Sequence, residues 1–105
     1  MNRTIYSIEQ ISKLVKPVFD KYSFIEKAYL FGSYAANNAK TKSDIDIVVS
    51  LNEPQNKYFF EISPKLEDII EKNIDIYCEE ELNKDFLNFI RKEFIQIYDR
   101  KEQAL

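Results

Sequence analysis

The spacing of apolar residues at the start of the chain predicts an amphipathic helix. Ser7 and Gln10 stand at the distance of a capping box, in which each residue's side chain accepts a hydrogen bond from the other's backbone N–H. The apolar face that follows consists of Ile8, Ile11, Val15, Val18 and Tyr22. Pro17 falls within this face, so we expect a kink or a break there.

Four short segments have the composition of β-strands: residues 25–31 (IEKAYLF), 44–51 (DIDIVVSL), 74–78 (IDIYC) and 94–98 (FIQIY). The second is the clearest, because its period of two puts Asp44, Asp46 and Val48 on one face. The opposite face then carries Ile45, Ile47 and Val49.

Further helical segments are predicted between these strands. A short Ala-rich turn of helix covers residues 33–39. A longer helix covers 58–72, in which Ser63 and Pro64 are typical of a helix N-terminus, and a last helix covers 82–93. The inward-facing residues would be Leu66, Ile69 and Ile70 in the longer helix and Leu82, Phe86, Phe89 and Ile90 in the last. The sequence therefore predicts an α/β (α+β) fold, with a small mixed sheet of about four strands flanked by about four helices.

Length and composition limit the class of protein. The 105 residues suit a single domain, 1–105, with 45% apolar and 31% charged residues. No apolar run approaches a membrane span, and the first ten residues lack the apolar stretch of a signal peptide, so a cytoplasmic protein without membrane contact is expected. A net charge of −3 argues against extended nucleic-acid binding.

The residue types that are missing exclude several kinds of catalysis. Without histidine, the chain has no Ser-His-Asp or Cys-His machinery, no histidine base and no histidine metal ligand. Its only cysteine, Cys78, excludes internal disulfides and is expected to be a buried strand residue. An enzyme of this composition must work with carboxylates, hydroxyls, amines and bound metal.

The only glycine, Gly32, ends the first strand and is followed directly by Ser33. At such a position the missing β-carbon lets backbone N–H groups approach a phosphate, and the serine adds a hydroxyl donor. When the pair is taken alone, an ordinary strand-ending turn with a serine cap is the favoured explanation.

Two carboxylates begin the second strand on one face. Asp44 and Asp46 lie about 7 Å apart at their Cα atoms, so both can converge on hard cations such as Mg²⁺. Asp75 is the only charged residue between Asn73 and Cys78, and in a parallel arrangement it can stand beside Asp46. Bound divalent metal would relieve the mutual repulsion of three such carboxylates.

The segment LFGSYAANNAKTKSDIDIVV resembles the signature of the DNA polymerase β-like nucleotidyltransferases: Gly-Ser, about ten residues, Asp-x-Asp, and a third Asp on a later strand. The resemblance extends over residues 8–98 and is strongest to the minimal nucleotidyltransferases, which lack an added substrate domain. It implies that Gly32 and Ser33 hold the triphosphate of ATP or another NTP. It also implies that Asp44 and Asp46 bind two Mg²⁺ ions, and that Asp75 completes the metal site and helps deprotonate the acceptor hydroxyl.

The sequence departs from the family after Gly-Ser, where Ala36-Asn37 replaces the usual Arg-Gly. Asn37 is compatible with a left-handed turn. Ala36 cannot make a guanidinium contact, which puts the catalytic rate in question. Lys40 and Lys42 are candidate sources of the lost charge, although solvated loop residues are the simpler interpretation.

Aromatic residues outside the motif suggest further surfaces. Tyr29, Tyr34, Tyr58 and Tyr77 are candidates for base stacking or self-modification, although packing with the hydroxyl at the surface is favoured for each. Residues 58–60 (YFF) are the best candidate for a partner surface, although the core-facing side of a helix explains them nearly as well.

Three functions follow from the resemblance. The leading one is metal-dependent transfer of AMP, or another NMP, to a hydroxyl on a partner protein. In the minimal subgroup the resemblance implies a HEPN ribonuclease toxin as partner, with this chain as its antitoxin. The alternatives are an antitoxin that acts by binding alone, and the catalytic subunit of a small-molecule (antibiotic) nucleotidyltransferase. A homo- or hetero-oligomer is one possible assembly, and the small-molecule enzyme would require a complementing helical subunit.

Overall fold

The helix at the start of the chain forms as its pattern predicts. A computed structural model describes residues 2–103, and its first element is α1, Ile8–Asp20. Both capping-box bonds are present: the Gln10 N–H donates to Ser7 Oγ (3.0 Å) and the Ser7 N–H donates to Gln10 Oε1 (2.8 Å). The helix continues through Pro17 without a break, and residues of its buried face lie on both sides of the proline. That face includes Ile11, Val15, Val18 and Phe19.

The sheet has four strands: β1 (Ile25–Phe31), β2 (Ile45–Leu51), β3 (Ile74–Cys78) and β4 (Ile95–Asp99). Their order is β3-β2-β1-β4. Strand β1 runs antiparallel to both β2 and β4, whereas β2 and β3 run parallel. The mixed four-stranded sheet is therefore confirmed, with β2 and β4 each beginning one residue later than predicted.

The helices differ from the prediction in number and in bounds. The structure has α2 (Ile62–Ile70) and α3 (Lys84–Arg91), so residues 2–103 contain three α-helices rather than about four. The expected helix at 58–72 is divided, because Asn56 caps a 3₁₀ turn over Lys57–Glu61 before α2 begins. None of the helices in residues 2–103 is long and apolar enough to cross a bilayer.

The predicted helical turn over residues 33–39 is wrong. Residues 32–37 form hydrogen-bonded turns instead, and residues 38 and 39 have no regular structure. A positive backbone φ angle at Asn37 (59°) interrupts the segment, and this left-handed conformation cannot be part of a right-handed helix.

Helices cover both faces of the sheet. Helices α1 and α2 pack on the main core, to which β2 contributes Ile45, Ile47 and Val49. On the other face a smaller cluster joins α3 to the sheet through Phe31, Val48, Leu87 and Ile90. The predicted apolar face of the last helix is right for Ile90 but wrong for Phe86 and Phe89, which are 43% and 70% exposed, because Leu87 and Ile90 face the strands. Ile69 on α2 is likewise exposed (48%) rather than buried.

Candidate active site

The turn that follows β1 is fixed by backbone hydrogen bonds and by one buried ring. The Ala36 N–H donates to the Gly32 carbonyl and the Asn38 N–H donates to the Ser33 carbonyl, both at 3.0 Å. Tyr34 is only 3% exposed and anchors the turn in the main core. Gly32 and Ser33 are therefore held in a defined position at the end of β1, where a phosphate-binding turn would have to be rigid.

Gly32 is needed here for two reasons. Its φ of 75° is the left-handed region that residues with a side chain rarely adopt. A β-carbon at this position would also stand 2.7 Å from Asp46 Oδ2, which is closer than such atoms approach in proteins. The Asp46 carboxylate therefore lies directly against the turn.

Asp46 and Asp75 are register partners on the parallel strands β2 and β3. Paired residues of neighbouring strands project from the same face, so the two carboxylates stand side by side. Asp46 is half-buried and Asp75 is exposed. Burial raises the pKa of Asp46 to about 6, and the negative charges of Asp75 and Asp44 add to the rise. The carboxylates of Asp46 and Asp75 and the Gly32 turn are thus neighbours on the same part of the sheet.

Asp44 precedes β2 and is exposed at the end of a loop that Lys72 holds in place. Lys72 is 9% exposed, and its Nζ donates to the Thr41 carbonyl (2.9 Å) and to the Asn2 carbonyl (3.2 Å). A cleft of about 310 Å³ opens beside Asp44 between this loop and the C-terminal end of α2. Of the five predicted site residues, the cleft is lined only by Asp44.

Carboxylate oxygens of this kind are the ligands that Mg²⁺ prefers. Within residues 2–103 no three acidic or cysteine side chains are drawn close enough together to hold a metal ion as they stand. Nevertheless, Asp46 has a raised pKa partly because of Asp75 and Asp44, so its charge is poorly compensated by the protein. A divalent cation would supply that compensation, and the donor set therefore fits Mg²⁺ in its chemistry.

The other residues that the sequence singled out have distinct positions. Asn37 adopts the left-handed conformation (φ 59°) that would be required of the glycine it replaces. Ala36, Lys40 and Lys42 are all exposed, and neither lysine makes a described hydrogen bond to the Gly32 turn within residues 2–103. Cys78 is buried as predicted, and burial raises the pKa of its thiol to about 11.

The tyrosines differ from one another in their exposure. The Tyr34 hydroxyl is buried, so the prediction that it reaches the surface is wrong. Tyr29 stacks on Phe94 with ring centroids 4.9 Å apart. Tyr58 is 48% exposed and Tyr77 is 37% exposed.

Two further residues lie near the site, and only Glu93 was missed by the sequence analysis, since Tyr77 was among its candidate tyrosines. Tyr77 follows Asp75 by two residues on the same face of β3, and its ring packs on Phe31 at 5.7 Å. Glu93 accepts a hydrogen bond from the Gly32 N–H at 3.3 Å. No local signal reveals the second contact, because it depends on the pairing of β4 with β1.

The mixed sheet, the Gly-Ser turn and the adjoining aspartates together have the architecture of a nucleotidyltransferase domain. The chain belongs to the family described as "Polymerase beta, Nucleotidyltransferase", whose sequence profile matches residues 13–103. The Methanocaldococcus jannaschii protein named "Putative protein adenylyltransferase MJ0128" is 35% identical over 75 residues, which are 70% of this chain and 76% of that protein.

Solved structures share the fold. One described as a toxin-antitoxin crystal structure with AMP-PNP superimposes with a TM-score of 0.73 at 22% identity, over 89% of this chain and 76% of that chain. Another, of a tri-AMPylated Shewanella oneidensis HEPN toxin in complex with an MNT antitoxin, gives a TM-score of 0.65 at 21% identity, over 89% and 72% of the two chains. At these identities the likeness concerns the fold alone.

Proposed function

We propose that this chain is a Mg²⁺-dependent protein adenylyltransferase that transfers AMP from ATP to a hydroxyl group on a partner protein. The observation that carries the proposal is the contact between the Asp46 carboxylate and the Gly32 turn, with Asp75 beside Asp46. A triphosphate held by the turn would have its phosphorus atoms next to the carboxylates. This is the juxtaposition that phosphoryl transfer requires, because the reaction depends on positioning and charge stabilisation.

Each residue has a distinct part in the proposed reaction. The backbone of Gly32 and the Ser33 hydroxyl would bind and orient the triphosphate, while Asp44, Asp46 and Asp75 would hold Mg²⁺. Bound Mg²⁺ would neutralise charge on the attacking and leaving oxygens. The acceptor oxygen would form a bond to the α-phosphorus. The bond between the α-phosphorus and the oxygen that bridges to the β-phosphorus would break, and pyrophosphate would leave. Asp75 is exposed and therefore accessible to an acceptor, and it would take the hydroxyl proton.

A HEPN toxin is the partner that we propose. Relatives of this chain carry the name "Putative protein adenylyltransferase", and structures of the same fold include an MNT antitoxin in complex with a tri-AMPylated HEPN toxin. A domain of this size leaves little surface for a second substrate pocket, so an acceptor that belongs to a folded partner suits it. Under this proposal the chain is the antitoxin and adenylylation inactivates the toxin.

The decisive experiment incubates the chain with Mg²⁺, ATP labelled at the α-phosphate and a HEPN toxin. Label should move to the toxin with the wild-type chain and should not move with the Asp44→Ala/Asp46→Ala variant. Exposed Asp68 on α2 provides the matched control, because Asp68→Ala removes an acid from the other side of the sheet. Absence of transfer with the wild-type chain and an acceptor-competent toxin contradicts the proposal.

One observation favours a second function, neutralisation by binding alone. Ala36 is exposed on the Gly32 turn where the family has arginine, so one positive charge that would face the triphosphate is missing. If the chain neutralises the toxin by binding alone, the Asp44→Ala/Asp46→Ala variant would still neutralise it in cells. Loss of neutralisation in the double variant, with the complex intact on size exclusion, excludes it.

A further inference from the structure

The backbone N–H at the centre of the proposed triphosphate site already has a hydrogen-bond acceptor. The Gly32 N–H donates to Glu93 Oε1 at 3.3 Å across 61 residues of sequence. A carboxylate oxygen offers this N–H what a phosphate oxygen would offer: a negatively charged acceptor. The Glu93 carboxylate and a triphosphate would therefore accept a hydrogen bond from the same donor, the Gly32 N–H.

The fold places Glu93 at this point and keeps its backbone there. Leu30 pairs with Ile95 in the antiparallel β1–β4 ladder, so Glu93 falls opposite Gly32 just before β4 begins. The Glu93 N–H donates to the Ile90 carbonyl at the end of α3 (2.9 Å). The side chain itself is exposed, so it can rotate away into solvent without any rearrangement of the core.

We propose that Glu93 competes with the triphosphate for the Gly32 turn and thereby lowers the affinity of the protein for nucleotide. The inference rests on the proposed function, since it assigns a role toward the same nucleotide. Binding requires the Glu93 carboxylate to leave the Gly32 N–H, and the displaced charge remains near the phosphates. Glu93 is thus a determinant of nucleotide affinity.

The first test measures the dissociation constant of Mg·ATP by calorimetry for the wild type, Glu93→Gln and Glu93→Ala. Removing one negative charge within about 6 Å of a triphosphate at an exposed site should tighten binding roughly three- to tenfold. Glu93→Gln keeps an acceptor oxygen, so it should show the loss of charge alone, and Glu93→Ala should bind at least as tightly. Glu9→Gln on α1 makes the same change in net charge on the opposite face and should leave the affinity unchanged.

The second test observes the contact directly, because Gly32 is the only glycine of the chain. Labelling with ¹⁵N-glycine therefore gives a single glycine amide signal. Without nucleotide, this signal should differ between the wild type and Glu93→Ala. With saturating Mg·ATP the two signals should converge, since the phosphate then replaces the carboxylate in the wild type.

The outcomes separate this inference from the proposed function. If the wild-type chain does not bind Mg·ATP at millimolar concentration, both the proposed function and the proposed competition are contradicted. If the wild type binds but Glu93→Ala binds equally or more weakly, only the competition is overturned; weaker binding would mean that Glu93 assists the nucleotide. Identical glycine signals without nucleotide, from variants with unchanged melting temperature, likewise overturn it.

Discussion

Asp46 Oδ2 lies 2.7 Å from the point at which a β-carbon on Gly32 would stand. The turn that ends β1 and the half-buried Asp46 are therefore packed against each other, and neither can change without affecting its neighbour. This contact makes the single glycine of the chain a structural requirement of the site.

Gly32→Ala should destabilise the protein through both backbone strain and steric overlap. An alanine at φ 75° costs about 1–2 kcal/mol, and overlap with the carboxylate adds about as much again. Urea unfolding should therefore show a loss of about 2–4 kcal/mol. In the Gly32→Ala/Asp46→Ala variant only the backbone strain should remain relative to Asp46→Ala alone. Equal losses in the two backgrounds would show that Asp46 does not crowd Gly32.

Asp46→Asn should stabilise the metal-free protein at pH 8 but not at pH 3.5. The pKa of Asp46 is about 6 in the folded chain against an ordinary value of 3.8. Between these values the folded chain binds more protons than the unfolded chain, so stability falls as pH rises and the full cost is present above pH 6. We expect a gain of about 1 kcal/mol at pH 8, a value reduced for solvent screening because the side chain is only half-buried.

Denaturant unfolding of the wild type and Asp46→Asn at the two pH values measures this difference. Glu9→Gln, which removes an exposed acid from the other face of the sheet, should show no such pH-dependent gain. A stabilisation of Asp46→Asn that is equal at pH 3.5 and pH 8 would show that the ionised carboxylate is not the source of the cost.

Millimolar Mg²⁺ should raise the melting temperature of the wild type, because a ligand that binds only the folded chain stabilises it. The rise should be a few degrees with ATP present and should shrink in Asp44→Asn and in Asp75→Asn. Asp68→Asn, which changes an exposed acid on α2, should keep the full rise. Equal shifts in all four proteins would mean that the cation binds elsewhere.

The strands could be predicted from the sequence because their alternating pattern is a short-range property. The position of Asp75 beside Asp46 depends instead on the parallel pairing of β2 with β3. The period of two in residues 44–51 places Ile45 in the core and Asp46 on the other face whatever lies around them. The phase of α3 was harder, because Phe86 and Leu87 are both apolar and only the sheet decides which one is buried. The Glu93 contact with Gly32 depends on strand pairing between residues 61 positions apart, so no local pattern contains it.

Lys72→Met should destabilise the protein and weaken its response to Mg²⁺. The Lys72 ammonium is buried and donates to the Thr41 and Asn2 carbonyls, and methionine fills the same space without donating. Hydrogen bonds from a charged group are worth about 1.5–3 kcal/mol, so a loss of about 2 kcal/mol is expected. The loop that leads into Asp44 would lose its anchor. Exposed Lys42 in that loop supplies the control, Lys42→Met; an equal loss there would contradict a specific role for Lys72.

Ala36→Arg should increase the affinity for Mg·ATP and the rate of label transfer. Ala36 is exposed on the Gly32 turn, and its N–H bonds to the Gly32 carbonyl, so a side chain at this position starts beside the proposed triphosphate. A guanidinium there would stabilise negative charge that develops during transfer, and we expect a gain of about tenfold or more in kcat/KM. Asn38→Arg adds the same charge two residues further along the turn and serves as the control. A gain confined to position 36 would show that the turn faces the phosphates. Equal gains at positions 36 and 38 would show that the added net charge alone causes the effect. If Ala36→Arg folds normally and neither affinity nor rate rises, the triphosphate does not lie on this turn.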